Sequence, residues 1–293
     1  MKKFLIKMFK GAAIGFAMII PGVSGGSVAV LLNIYDEIIF CINDLRHNFI
    51  KSIKELIPII VGMILAFVAM YFPIKLLLNY YPLQITSFFA GLIIGSIPKL
   101  CSDTVKNGFD KKYDIIAFLI SFIFIVGICF IPNMNDVNLI SMNVLDYLLL
   151  LLIGVIASCA LIVPGISGSM MLLIFGYYQP ILNIISDLKN NPIHSIVVLL
   201  VFIIGIIIGF FTIAKFMKFL LSKYKRITYW SILGFVIGSI LALFISFDYL
   251  SASIDLITIL SSLLFLIVGV ILSFIFSRLI KDGEWYAYFW YWL

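Results

Sequence analysis

Charge is scarce in this chain. Asp, Glu, Lys and Arg make up only 12% of its 293 residues, against 63% hydrophobic. An ordinary soluble domain carries about 25% charged and about 45–50% apolar residues. The shortage excludes a normally solvated surface. Paired cysteines are missing as well: Cys41, Cys101, Cys129 and Cys159 stand singly in or beside apolar segments. With no Cys-x-x-Cys spacing, neither a zinc site nor a redox pair is indicated, and the four read as small packing residues. The two histidines, His47 and His194, fall in connecting segments. No metal or other cofactor is expected. The apolar stretches also lack the strict alternation of barrel strands.

What remains is long hydrophobic runs, such as 196–214 and 256–276. Runs of about 18 or more apolar residues are candidates for membrane helices, and only helices or closed barrels satisfy the backbone in lipid. The sequence therefore predicts an all-α integral membrane protein. The net charge of +6 sits in short loops, where it orients the chain and meets anionic headgroups of the membrane lipids; no nucleic-acid partner is expected. The start, Met1-Lys2-Lys3 followed by apolar residues, mimics a secretory signal. No Ala-x-Ala site follows, so it is read as retained.

The chain repeats itself. Pro21-Gly22-Val23-Ser24-Gly25 returns 143 positions later as Pro164-Gly165-Ile166-Ser167-Gly168. The same offset pairs Gly11 with Gly154, Tyr35 with Tyr178, Gly62 with Gly205 and Lys75 with Lys218. It also pairs the run Gly91–Ile97 with Gly234–Ile240. Two units result, 1–143 and 144–293. Each holds a pair of apolar arms around the Pro-Gly break, over 4–42 and 145–186. Three spans follow in each, near 55–80, 84–101 and 113–131, and near 195–221, 228–247 and 254–277. The broken arms barely reach the ~20 residues a crossing needs, and Pro-Gly stops a helix. Each pair is read as a re-entrant helical hairpin, with two full spans and a tight turn as the alternative.

Either way the pair returns to its starting side. Three further spans then make the crossings odd, so the repeats are inverted. Placing the N-terminus in the cytoplasm puts Arg46, Lys51, Lys54, Lys99, Lys106, Lys111, Lys112, Lys215, Lys218, Lys223, Lys225, Arg226, Arg278 and Lys281 inside. The outer loops hold only Lys189, with Lys75 near an outer end. This obeys the positive-inside rule and predicts a multi-pass protein of the cytoplasmic membrane with both termini cytoplasmic. The aromatic C-terminal tail over 284–293 suits an anchor at the headgroup level.

Inverted repeats with interrupted helices point to a transporter whose substrate sits at the midplane. Half-helices starting near Gly26 and Ser169 would present unpaired N–H groups and a partial positive charge. Gly22, Gly25, Gly26, Gly165 and Gly168 would let backbone approach an anion closely. Ser24, Ser27, Ser167 and Ser169 would cap the half-helices or donate to the same anion, while Pro21 and Pro164 break the helices. Gly and Ser at these places also suit tight helix packing. Lys75 and Lys218, near span ends, fit snorkelling or headgroup steering. Arg46 and Lys189 fit loop charge or headgroup attraction. Glu37 reads as an interfacial charge, or as a partner for a nearby base or a coupling proton.

The stretch from Gly11 to Ile38, with its Pro21–Ser27 motif and Tyr35-x-Glu37, resembles the first signature of the polyprenyl-phosphate transporters of the PopT type. The run Phe88–Ser96 and the motif Pro164–Ser169 are similar to its later signatures. The resemblance covers essentially the whole chain. It implies a flippase that returns undecaprenyl phosphate from the outer to the cytoplasmic leaflet for reuse in cell-wall polymer synthesis, with a proton or sodium as coupling ion. Two departures stand out: Ala17-Met18-Ile19-Ile20 where the family often has an Asp, and Asn33 where a Gly is common. The alternatives are a small-anion or ion transporter on the same scaffold, and a lipid phosphatase. Undecaprenyl-pyrophosphate phosphatases carry Pro-Gly-x-Ser-Arg-Ser, however, and here the Arg position holds Gly25 and Gly168. Their Glu-rich motif is absent too, so no enzyme is expected.

A reporter enzyme fused after Asn135 will behave as external to the cytoplasm. Cytoplasmic behaviour of that fusion contradicts the inverted arrangement.

Overall fold

The computed structural model describes residues 2–19, 24–245 and 255–281. The Pro21-Gly22 pair and the aromatic tail lie outside them. Among the described residues all regular elements are helices: α1 (Lys2–Met18), α2 (Gly25–Leu31), α3 (Tyr35–Asp44), α4 (Phe49–Tyr80), α5 (Pro82–Lys106), α6 (Tyr113–Ile128), α7 (Val144–Ile162), α8 (Gly168–Ile174), α9 (Tyr178–Ser186), α10 (Pro192–Lys223), α11 (Lys225–Ile245) and α12 (Leu256–Lys281). Five stretches among the described residues are long and apolar enough to cross a bilayer: Phe49–Leu78, Pro82–Lys106, Pro192–Lys223, Lys225–Ile245 and Leu256–Phe274.

The 143-residue offset carries over to the elements. Gly25–Leu31 becomes Gly168–Ile174, and Phe49–Tyr80 becomes Pro192–Lys223. Packing repeats as well: α1 lies along α4, and α7 lies along α10. These pairs approach closely because each presents glycine to the other. A Cβ on Gly62 would lie 1.9 Å from the Met8 carbonyl oxygen, and one on Gly205 would lie 2.2 Å from that of Leu151.

The arms differ from the sequence reading. The second arm of each hairpin, read as one stretch, is two helices. Those of the first unit bend by 113° and those of the second by 102°. The hinge residues are repeat mates in left-handed backbone, Asn33 at φ 51° and Gly176 at φ 70°. Asn and Gly tolerate that region best. The helix α6 also has only 16 residues. That is ~24 Å at 1.5 Å per residue, short of the ~30 Å hydrocarbon core.

The chain goes in along α1 and comes back along α2. Gly25 lies against the side chains of Ile14 and Met18, and the Lys10 ammonium donates to the Leu32 carbonyl at 2.8 Å. Nearer the chain start, Lys7 is buried at 6% exposure between the carboxylates of Glu37 on α3 and Glu55 on α4. A buried ammonium needs such partners, since leaving it unpaired costs several kcal/mol, roughly 3–5. Glu37 is therefore fixed as an ion-pair partner that ties the returning arm to its entry point.

The two units are not separate bodies. The main partner of α5 is α12 of the other unit, and its repeat mate α11 packs on α6 of the first unit. Both pairs run parallel. Gly91 faces Leu266 and Gly95 faces Val270, while Gly234 faces Phe118 and Gly238 faces Phe122. The larger buried cluster accordingly joins α1–α5 with the later turns of α10 and with α11. A smaller one joins α7, α9 and the early turns of α10 with Leu139 of the 129–143 connection.

Symmetry fails at the hairpins. The first packs inward, α2 on α5 and α7, and α3 on α10. There the Asn43 side chain donates to the Ala214 carbonyl at 2.8 Å. The second hairpin packs chiefly on its own α7 and α10. Its hinge is instead covered by the preceding connection, where the Met134 N–H donates to the Ile174 carbonyl at 2.9 Å and the Val137 N–H to that of Gly176 at 3.0 Å.

Candidate functional site

The two breaks meet. A Cβ on Gly26 would lie 3.0 Å from the Ile162 carbonyl oxygen and 3.3 Å from the Pro164 nitrogen. The Ser24 hydroxyl donates to the Val163 carbonyl at 3.4 Å. The start of α2 is thus pressed against the last residues of α7. The polarity of this contact departs from the expectation of two facing N-termini. The end of α7 lies against the start of α2, a placement that the opposite partial charges of helix ends favour.

Ser24 and Ser167 both occupy N-cap positions in extended backbone, and neither side chain makes a capping bond. Ser24 is turned to Val163, and Ser167 pairs with Ser169, hydroxyl to hydroxyl at 3.0 Å. The Ser27 side chain is fully buried, and its hydroxyl finds no hydrogen-bond partner among the described residues. Such a group costs roughly 1–3 kcal/mol unless something else engages it. Gly165 holds φ 89° with its Cα against the Phe235 carbonyl, 2.6 Å from where a Cβ would sit; a side chain there is excluded both by strain and by contact. Pro164 is fully buried beside it. Gly168 opens α8, which is half-exposed, unlike α2.

Beside the second break lies an apolar cavity of about 180 Å³. It is lined by Val163, Pro164, Met217, Leu220, Ile232 and Phe235, with Tyr224, Ile227, Thr228 and Ser231 completing the wall.

The basic residues singled out for headgroup steering are not at this site. Arg46 and Lys189 are exposed at the ends of their hairpins. Lys218 rests over the Phe40 ring at 5.8 Å, and the Lys75 side chain lies outside the described set. Sequence reasoning missed a second, polar cavity of about 310 Å³ under the α2–α3 bend, which holds Tyr35, Asp36, Lys99 and Tyr229. Its only advance signal was the Asn33–Gly176 pair, which marks the bend.

Long apolar helices and interrupted arms define a multi-pass helical membrane protein. The chain belongs to the VCA0040-like, undecaprenyl phosphate translocase-like family, whose model matches residues 14–259. A polyprenyl-phosphate transporter of Staphylococcus aureus is 33% identical over 284 residues, 95% of this chain and 98% of that protein. One of Vibrio cholerae is 29% identical over 252 residues, 81% of this chain and 76% of its own. No solved structure matches.

Replacing Ser27 by Ala removes a buried hydroxyl that has no partner among the described residues. Thermal unfolding is expected to stay level or shift upward, whereas transport of the substrate falls. A fall in both would make Ser27 a packing residue only.

Proposed function

We propose that this chain carries a polyprenyl phosphate, undecaprenyl phosphate in particular, from the outer to the cytoplasmic leaflet of the cytoplasmic membrane, returning the carrier lipid to cell-wall polymer synthesis. The observation that carries the reading is the abutment of the two breaks, Ser24 and Gly26 against Val163 and Pro164. It is supported by family membership and by relatives named polyprenyl-phosphate transporters.

The headgroup is the difficult cargo. A phosphate monoester carries about −1.5 to −2 charges near neutrality, and crossing hydrocarbon unaided is prohibitive. In this reading the phosphate replaces the contact between the breaks. Ser24, Ser27, Ser167 and Ser169 donate to it, and the glycine backbones of Gly22, Gly25, Gly26, Gly165 and Gly168 admit it closely. The isoprenoid chain stays in lipid and in the apolar cavity beside Pro164. That cavity favours a lipid over a small soluble anion. Arg46, Lys75, Lys189 and Lys218 act further out, attracting headgroups toward the two faces. A proton or sodium gradient drives the cycle.

Inversion of the repeats is the mechanical half of the proposal. The parallel runs of α5 with α12 and of α11 with α6 favour it. Consecutive spans alternate in direction, so two units mounted alike would set those pairs antiparallel. Inverted units allow the hairpins to exchange packing, the first loosening as the second closes, and so expose the meeting point to each leaflet in turn.

Liposomes containing the purified protein and labelled undecaprenyl phosphate will show leaflet exchange, faster with an imposed pH or sodium gradient. Ser24→Leu and Ser167→Leu will each slow exchange by about tenfold or more, the equivalent of ~1.4 kcal/mol at the barrier, while remaining folded. Exchange at the protein-free rate, or at the wild-type rate in both variants, contradicts the proposal.

A further inference from the structure

The polar cavity under the α2–α3 bend is separate from the meeting point of the breaks, yet it shares a wall with the apolar cavity beside Pro164. Ile232 lines both. Three lysines reach it, Lys99 and Lys106 from α5 and Lys225 from the start of α11, together with the amides Asn33 and Asn107. Its two carboxylates are already engaged. Asp36 accepts from the Tyr229 hydroxyl at 2.8 Å, and Asp103 pairs with Lys106 at 3.0 Å. Tyr35 also lines this cavity. Tyr35 is 4% exposed and its hydroxyl has no hydrogen-bond partner among the described residues. Three lysines against two carboxylates, with two amides and a buried phenol beside them, suit an anion. A volume of about 310 Å³ exceeds what one phosphate fills.

The set exists once. The repeat mates of Lys99, Lys225 and Asp36 are Ala242, Pro82 and Gln179, and the second hinge is covered by the 134–137 backbone. A charged receptor therefore stands at one hairpin only, on the face the basic loops assign to the cytoplasm.

We propose that this cavity is a phosphate-monoester site, in which Lys99, Lys225 and Tyr35 hold the phosphate group while an attached apolar chain leaves past Ile232 into the neighbouring apolar cavity. It deepens the transport reading, on which it rests for the source of the phosphate. It gives the headgroup a receiving station on one side.

The test uses the full chain in phosphatidylcholine nanodiscs at fixed pH, titrated calorimetrically with inorganic phosphate and, separately, with geranyl phosphate. Geranyl phosphate is expected to bind and to displace inorganic phosphate. Lys99→Gln will weaken both by about tenfold or more, as loss of a charged donor does. Tyr35→Phe, which keeps the ring and the packing, will weaken both by about threefold. Binding of inorganic phosphate with none of geranyl phosphate would keep the anion receptor but overturn its assignment to a lipid headgroup. Equal affinities in wild type, Tyr35→Phe and Lys99→Gln, or binding of neither ligand, overturns the site. Ser24→Leu separates the two claims. It should bind phosphate here normally while losing leaflet exchange. Wild-type exchange in Ser24→Leu, alongside weakened phosphate binding in Lys99→Gln, would sink the transport pathway and leave this site standing.

Discussion

A helix interrupted inside hydrocarbon leaves backbone groups that only other protein groups can satisfy, and the contact between the two breaks is this chain's answer. The start of α2 leaves N–H groups without intrahelical partners, and the end of α7 lies against it. Ser24 binds the Val163 carbonyl, and Gly26 packs on Ile162 and Pro164. At the far end of α2 the Lys10 ammonium takes the Leu32 carbonyl. The short helix is therefore held at both ends by groups from elsewhere. A ligand able to substitute for one of those partners can enter at little cost in lost hydrogen bonds. In the proposed function that ligand is a phosphate, rich in acceptors.

The rest of the architecture keeps the breaks opposed. Exchange of partners between units, α5 to α12 and α11 to α6, forms a frame that neither unit makes alone. The α1–α4 and α7–α10 pairs carry the hairpins against that frame, and the Lys7–Glu37–Glu55 cluster fastens the first hairpin near its base. In the proposed cycle the inward packing of the first hairpin and the looser second one form one of two alternating arrangements. Interlocked, nearly symmetric units are suited to such a swap, because each new contact resembles one already made.

Much of this was readable in the residues, for a physical reason. Pro, Gly and Ser at a fixed offset are rare enough to survive against a background of Leu and Ile, so the duplication and the placement of the breaks followed from spacing alone. The hinge at Asn33 was overlooked because the arm is apolar on both sides of it. Asn33 and Gly176, equally spaced and both tolerant of left-handed backbone, carried the signal. The pairing of α5 with α12 had no trace in one sequence, since apolar periodicity does not say which neighbour a membrane helix chooses. The polarity at the meeting point was also hidden. Which end of a helix a turn presents depends on residues far along the chain. The lysines of the polar cavity read as ordinary loop charge, because only the bend brings Tyr35 and Asn33 beneath them.

Transport as proposed requires Ser24 and Val163 to be neighbours at a point the substrate passes. In a variant with the four native cysteines replaced by serine, Ser24→Cys and Val163→Cys should join on mild oxidation in native membranes. Leaflet exchange should then stop until the bond is reduced. Two thiols that stay free under oxidation, or a linked protein that exchanges lipid at the unlinked rate, would contradict it.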